Sequence, residues 1–321
     1  MKNKNSGRFA AAAALALGVG LGTAACGSGG GSSTAPSAPS ATGPVVVAGV
    51  EIRPDPVLNA ALPDAVRKAG KVRVASDVPY PPFEMYQSEG KTGMTGLDYE
   101  LGQAIGARLG VRFEFQAQKF DGIVPAIQAG KYDAAISALT DNKEREQVVD
   151  FVDYSASGTG LMVAKGNPEK IVTLDDLCGR KVAVETGTNQ QKLLDRHQDA
   201  CRSAGRGAIE VQAFPKDSDA QLVLRSGKVV ADVLTKPAAG WTARVADDGT
   251  AFEVVDDPAA AAGYNASPNG IAISKALPRL TDAVQTALQQ LIDDGTVAKI
   301  YDKYGVASIA VERAVRNGAV D

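Results

Sequence analysis

Histidine is almost missing from this 321-residue chain: His197 is the only one. A Ser/His/Asp set would have to be built on that single residue, inside a stretch that reads as helical, which excludes it. Tryptophan is equally scarce, with Trp241 alone, and all aromatic residues together make up 5%. Cysteine occurs three times, as Cys26, Cys178 and Cys201. Two thiols and His197 would offer a metal at most three ligands with no recognisable spacing, so a solvent-facing histidine is expected, with no metal and no cofactor. Lys and Arg gather on no one segment, and the net charge of -3 mixes both signs, which argues against nucleic acid as a partner. Beyond the first residues no stretch approaches the roughly 20 apolar residues that span a bilayer.

What is present begins with an address. Lys2, Lys4 and Arg8 precede an apolar run from Phe9 to Leu21, and small residues follow up to Cys26. Residues 1–25 therefore read as a secretory signal. The Thr23-Ala24-Ala25-Cys26 junction resembles the lipobox of bacterial lipoproteins, which makes Cys26 the expected lipidated residue. Gly27 to Pro44 is almost purely Gly, Ser, Ala, Thr and Pro and cannot bury enough apolar surface to order itself. Residues 26–60 are thus assigned to the lipidated cysteine and a flexible tether. Export to an oxidising compartment and an even remainder suggest a Cys178–Cys201 disulfide. Closing a loop of about 23 residues would add on the order of 3 kcal/mol.

Hydrophobic periodicity then alternates. Lys71 to Ser76 has period two, Leu97 to Leu109 has a helical period, and Val111 to Phe115 alternates again. A second run of the same kind covers Gly160–Ala164, Lys181–Val184, Gln190–Arg202, Ile209–Phe214, Ser218–Arg225 and Val229–Leu234. A strand at Gly270–Ser274 and helices at Leu277–Asp293 and Thr296–Tyr304 follow, with a peripheral tail expected after Val306. This is an α/β chain with two lobes of open sheet, helices on both faces and a ligand cleft at the hinge. The expected divisions are 61–161 for the first lobe, 162–268 for the second, and 269–321 for the return to the first and the tail.

The densest polar cluster runs from Ile136 to Arg145. A strand ends near Ser137, and Asp141 with Glu144 forms an expected capping box at the start of a helix. Helix N-termini at the carboxyl edge of a sheet favour anions, and Arg145 could add a planar two-point grip on a carboxylate. Spacing alone weighs that reading evenly against a cap and a solvated charge.

Over nearly its whole length beyond the tether the chain resembles the polar amino-acid-binding proteins of ABC importers, solute-binding protein family 3. The resemblance is carried, in family order, by Asp77–Glu84, Gly96–Leu101, Phe120–Pro125, Thr140–Arg145 with Asp150-Phe151, Leu174–Gly179, Gly187–Gln190 and Asp294–Thr296. The cysteine pair resembles a variant among actinobacterial members. The resemblance implies a two-lobed, type II periplasmic-binding-protein-like fold. It also implies that Arg145 clamps a ligand carboxylate with Thr140, and that the Ala138 carbonyl accepts from the α-ammonium. Tyr80 and Phe120 would sandwich the carbon chain, Asp77 would face the side chain, and Glu185, Thr188 and Asn189 would be the second-lobe contacts. One position departs from the family. The acid that usually pairs with the α-ammonium is replaced, in the segment after Ser226-Gly227, by Thr235 or Lys236. Asp77 and Glu185 lean toward a cationic guest, whereas Lys236, if inward, would suit an acidic one. The implied protein is no enzyme. It is a lipid-anchored, extracytoplasmic receptor that closes over an amino acid or related solute and hands it to ABC permease subunits. The alternative is a periplasmic dehydratase of the prephenate or arogenate type, with Glu185 as general acid.

Overall fold

Lys71–Ser76 runs parallel to Arg112–Ala117 on one side and to Ala134–Ala135 on the other. Its alternation buries Val72 and Val74 completely. The crossover helix Leu97–Leu109 sets Leu97, Leu101 and Ile105 into the same core, each side chain contributing about 1.5–3 kcal/mol by burial. A second parallel set consists of Glu210–Phe214, Lys181–Glu185 and Ala231–Thr235. These observations come from a computed structural model that describes residues 43–88 and 90–320. The expected signal and Cys26 lie outside the described residues.

Two long strands join the sets. Val149–Ala164 pairs antiparallel with Ala231–Thr235 through Thr159–Met162, and Tyr264–Ser274 pairs antiparallel with Ala134–Ala135. The two also pair with each other, with register shifts between Tyr264 and Ser267 and between Asn269 and Gly270. The result is one curled sheet, ordered 210–214, 181–185, 231–235, 149–164, 264–274, 134–135, 71–76, 112–117. Where the long strands cross, Gly158 donates its N–H to Ala262 O at 2.9 Å. A Cβ on Gly158 would lie 2.4 Å from the Gly263 carbonyl, and Gly263 itself holds φ +94°. Only glycine permits that approach.

One apolar core surrounds the helix Leu97–Leu109 and the later helices Pro278–Asp293 and Thr296–Tyr304. Another, with Leu161, Val182, Val184, Leu194 and Val233, lies on the second parallel set. A third joins Ala75, Ile123, Tyr132 and Phe151. Cys178 and Cys201 are disulfide-bonded with Cα atoms 5.4 Å apart, fastening the end of the helix Asn189–Ser203 beside the start of the strand Lys181–Glu185. Among the described residues no helix is long and apolar enough to cross a membrane.

Three expectations need correction. The tether assigned to 26–60 ends early, because Val45–Val47 and Val50–Ile52 form a hairpin and Pro56–Ala61 a helix capped by Asp55. Val47, Ile52 and Leu58 are apolar anchors that a pure tether lacks, and all are buried. The tail is not peripheral: Ala310–Arg316 pairs with Val149–Ala164, and Asn317 Oδ1 accepts from Phe151 N at 2.8 Å. His197 is not solvent-facing; its imidazole lies 2.8 Å from Asp175, beside the disulfide, whose sulfurs are bonded to each other.

Candidate functional site

A narrow pocket, with about 10 Å3 of free room, lies where both parallel sets end. Each strand delivers a residue as it runs out. Asp77 follows Lys71–Ser76, Ser137 and Ala138 follow Ala134–Ala135, Glu185 ends its strand, and Thr235 ends Ala231–Thr235. Tyr80, Phe120, Thr140 and Thr188 complete most of the lining. Ligands of open α/β sheets collect at this edge because loops and helix starts there present unpaired donors.

The first-half wall is held by a buried polar chain. Ser137 Oγ accepts from Asp77 N at 2.8 Å and donates to Glu84 Oε1 at 2.6 Å. Asp77 Oδ2 accepts from Phe120 N at 2.9 Å, which fixes the Phe120 backbone against the acid. Ala138 adopts φ +43° at the pocket. That conformation costs a residue with a Cβ about 1–2 kcal/mol. Asp98 holds it there, accepting from Ala138 N at 2.7 Å and from the Tyr154 hydroxyl at 2.9 Å. The halves touch through Tyr80, whose hydroxyl accepts from Thr235 N and shares a second hydrogen bond with Thr235 Oγ1, both at 3.0 Å.

Arg145 is buried beside this wall. It donates through Nη1 to Thr140 O at 2.8 Å and through Nη2 to Gly187 O at 3.1 Å, so one guanidinium bridges both parallel sets. Its Cζ lies 5.5 Å from the Phe120 ring centroid. Burial lowers its pKa to about 10, leaving it charged at neutral pH. Asn142 Nδ2 donates to Asn189 Oδ1 at 2.9 Å across the same gap. Arg145 and Asn189 therefore stand just behind the residues that line the pocket.

The electrostatics are one-sided. Asp77, Glu84 and Glu185 line the pocket, and no Lys or Arg among the described residues does. Burial pushes Asp77 upward, and hydrogen bonds involving Glu185 and Phe120 act against it. Burial raises Glu185 well above the ordinary carboxylate range, reinforced by the charges of Asp217 and Asp77. Burial likewise raises Asp217 to about 6 and places Asp232, next to Asp217, well above its usual range. Neither Asp232 carboxylate oxygen has a hydrogen-bond partner among the described residues. Burial without a cationic partner favours the neutral form of such carboxyls, and a cation placed beside them would favour the charged form.

Several expected positions shift. The capping box on Asp141 does not form; the helix is only Lys143–Glu146, and Asn142 caps it by accepting from Arg145 N at 2.9 Å. The extended backbone of Asn142 makes it the non-helical flank. In the second half Thr188 caps Asn189–Ser203, accepting from Gln191 N at 3.1 Å. At the departing position Thr235 lines the pocket, whereas Lys236 turns away and donates to Ala260 O and Ala261 O at 3.3 and 2.9 Å. Sequence reasoning gave no role to Glu84, Asp98, Ser137 or Gln190. Glu84 and Asp98 stood inside the stretches that carry the resemblance, and acids there among apolar neighbours were the available signal.

The profile of bacterial extracellular solute-binding proteins, family 3, matches residues 72–307. The arginine-binding protein ArgT of Corynebacterium glutamicum is 30% identical over 270 residues, covering 83% of this chain and 85% of that protein. The solved structure of an ancestral arginine-binding protein bound to arginine has a TM-score of 0.65 at 33% identity, over 73% of this chain and 98% of that one. An ancestral amino-acid-binding protein, AncCDT-1, described as a precursor of cyclohexadienyl dehydratase, has a TM-score of 0.64 at 33% identity, over 75% and 98%. With its two-lobed fold and the pocket where its parallel strands end, this chain belongs to family 3 of the bacterial extracellular solute-binding proteins.

Proposed function

We propose that this protein captures an amino acid with a cationic side chain, such as arginine, and passes it to an ABC permease without transforming it. The observation that carries the reading is the acid-lined pocket: Asp77, Glu84 and Glu185 face it and, among the described residues, no basic one does. Arginine-binding proteins among the relatives support it. In this reading Asp77 and Glu185 take the positive group. Arg145, Thr140 and the amides at the start of Asn189–Ser203 take the carboxylate, with Thr188 and Asn189 at that start. Tyr80 and Phe120 flank the carbon chain, and the Ala138 carbonyl accepts from the α-ammonium. Thr235 supplies no charge, so that ammonium must share the Asp77–Glu185 pair. Residues 61–161 with 269–321 form one lobe and 162–268 the other, closing because the carboxylate is shared between them.

Calorimetry with arginine, lysine, glutamine and glutamate tests the assignment. Arginine or lysine should bind tightest; glutamate binding more tightly than either would overturn it. Lipidation at Cys26 would hold the receptor on the outer face of the membrane, and a mature mass without an added diacylglyceryl group would refute it. A dehydratase reading draws on the raised Glu185 carboxyl and on the likeness to AncCDT-1. Steady turnover of arogenate or prephenate by pure protein would establish it in place of transport.

A further inference from the structure

A second cavity lies apart from the acid-lined pocket and has the opposite sign. Its volume is about 440 Å3, within the range of roughly 300–1,000 Å3 common for small-molecule sites. The helix Lys236–Val245 supplies Lys236, Trp241 and Arg244 to one side. Val306, Ser308 and Ile309 also line it, with Ala156 and Ser157 of the long strand. None of its lining residues is acidic, and none is shared with the first pocket.

Both cations lack a carboxylate of their own in the cavity. Lys236 Nζ makes its hydrogen bonds to the carbonyls of Ala260 and Ala261. Asp257 lies within reach of its charge, but that carboxylate accepts from the Tyr264 hydroxyl at 2.6 Å and from Ala259 N at 2.9 Å. The Arg244 guanidinium lies 4.9 Å from the Trp241 ring centroid and pairs with no acid among the described residues. Trp241 in turn meets Tyr304, ring centroids 6.3 Å apart. Two cations and an indole, in a lining that also holds alanine, valine and isoleucine, suit a guest with one negative end and a flat apolar body. We infer that this cavity binds a small aromatic carboxylate at a site separate from the acid-lined pocket. The inference does not depend on which solute the first pocket takes.

Trp241 is the chain's only tryptophan, so its emission reports on this cavity directly. The test titrates the whole protein with benzoate at constant ionic strength. Benzyl alcohol supplies the body without the charge, and acetate the charge without the body. Benzoate should change the emission saturably, and either comparator should bind about tenfold more weakly. Arg244→Gln, at an exposed position, and Lys236→Gln should each weaken benzoate by about fivefold or more with the circular dichroism unchanged. No saturable change, an equal response to benzyl alcohol, displacement of benzoate by arginine in simple competition, or unchanged affinity in both variants would overturn the site.

Discussion

Arg145 already serves as a bridge in the solute-free chain. Its two nitrogens already reach Thr140 O and Gly187 O on opposite parallel sets. Arg145→Ala should therefore weaken solute binding by more than about tenfold, the loss of at least one charge-assisted hydrogen bond; unchanged affinity in calorimetry would reject the role. Asp77 and Glu185 make a second prediction at this scale. Burial raises both, Glu185 well above the ordinary carboxylate range, and their mutual hydrogen bond raises Glu185 while lowering Asp77, so a cationic guest that pairs with Glu185 displaces its proton. Arginine binding near neutral pH should release protons, and affinity should rise with pH until both groups ionise. Calorimetry in buffers of different ionisation enthalpy measures the release, and its absence would remove Asp77 and Glu185 as the cation's partners. Residues at this scale were legible where a polar side chain follows a strand end, as at Asp77, which lines the pocket. Asp98 was not legible, because its partner Ala138 lies forty positions away and the bond is to a backbone N–H.

Among the elements, the pair of long strands joins the two parallel sets. At their crossing a side chain on Gly158 would press into the Gly263 backbone. Gly158→Ala should lower stability by roughly 1–3 kcal/mol, the usual cost of overpacking, and should favour a more open form. Thermal melting and the radius of gyration from small-angle scattering, each with and without arginine, check both effects; a variant that melts and closes like the parent would remove the crossing as hinge. Helices and short strands were readable from periodicity, Leu97–Leu109 and Thr296–Tyr304 to the residue. The long strand Val149–Ala164 was not, beyond Gly160–Ala164. Nearly all its residues are buried on both faces, Asp150, Asp153 and Ser155 included, so the apolar–polar alternation that betrays a half-buried strand is erased. The tail after Val306 was misjudged for a related reason: Ala310–Arg316 gains its place from a partner more than 140 residues earlier.

Across the whole molecule, buried acids set the response to pH. Burial is the first cause raising Asp98 and Asp217 to about 6, Asp153 to about 7 and Asp141 to about 8. The folded chain keeps protons that the unfolded chain gives up. Their contribution to stability is complete below the ordinary carboxylate range and disappears as pH climbs through 6 to 8. Asp55, held low by its hydrogen bond with Gln290, acts in the opposite sense, but only in acid. The solute-free protein should melt at a lower temperature at pH 8.5 than at pH 5.5, and saturating arginine should narrow the gap. A melting temperature that rises over this interval would contradict the arrangement.

The order of the sheet also sets a timetable. Ala134–Ala135, in the half built from the earlier residues, has Tyr264–Ser274 as one of its two neighbours, and the final strand Ala310–Arg316 leans on Val149–Ala164. A polypeptide threaded across a membrane from its first residue onward would thus expose an unfinished sheet edge until almost its last residues emerge. The later half, whose parallel strands lie between positions 181 and 235, can assemble beforehand. Premature termination between residues 255 and 263 would leave the strands of the later half in place and Ala134–Ala135 without one of its two neighbours.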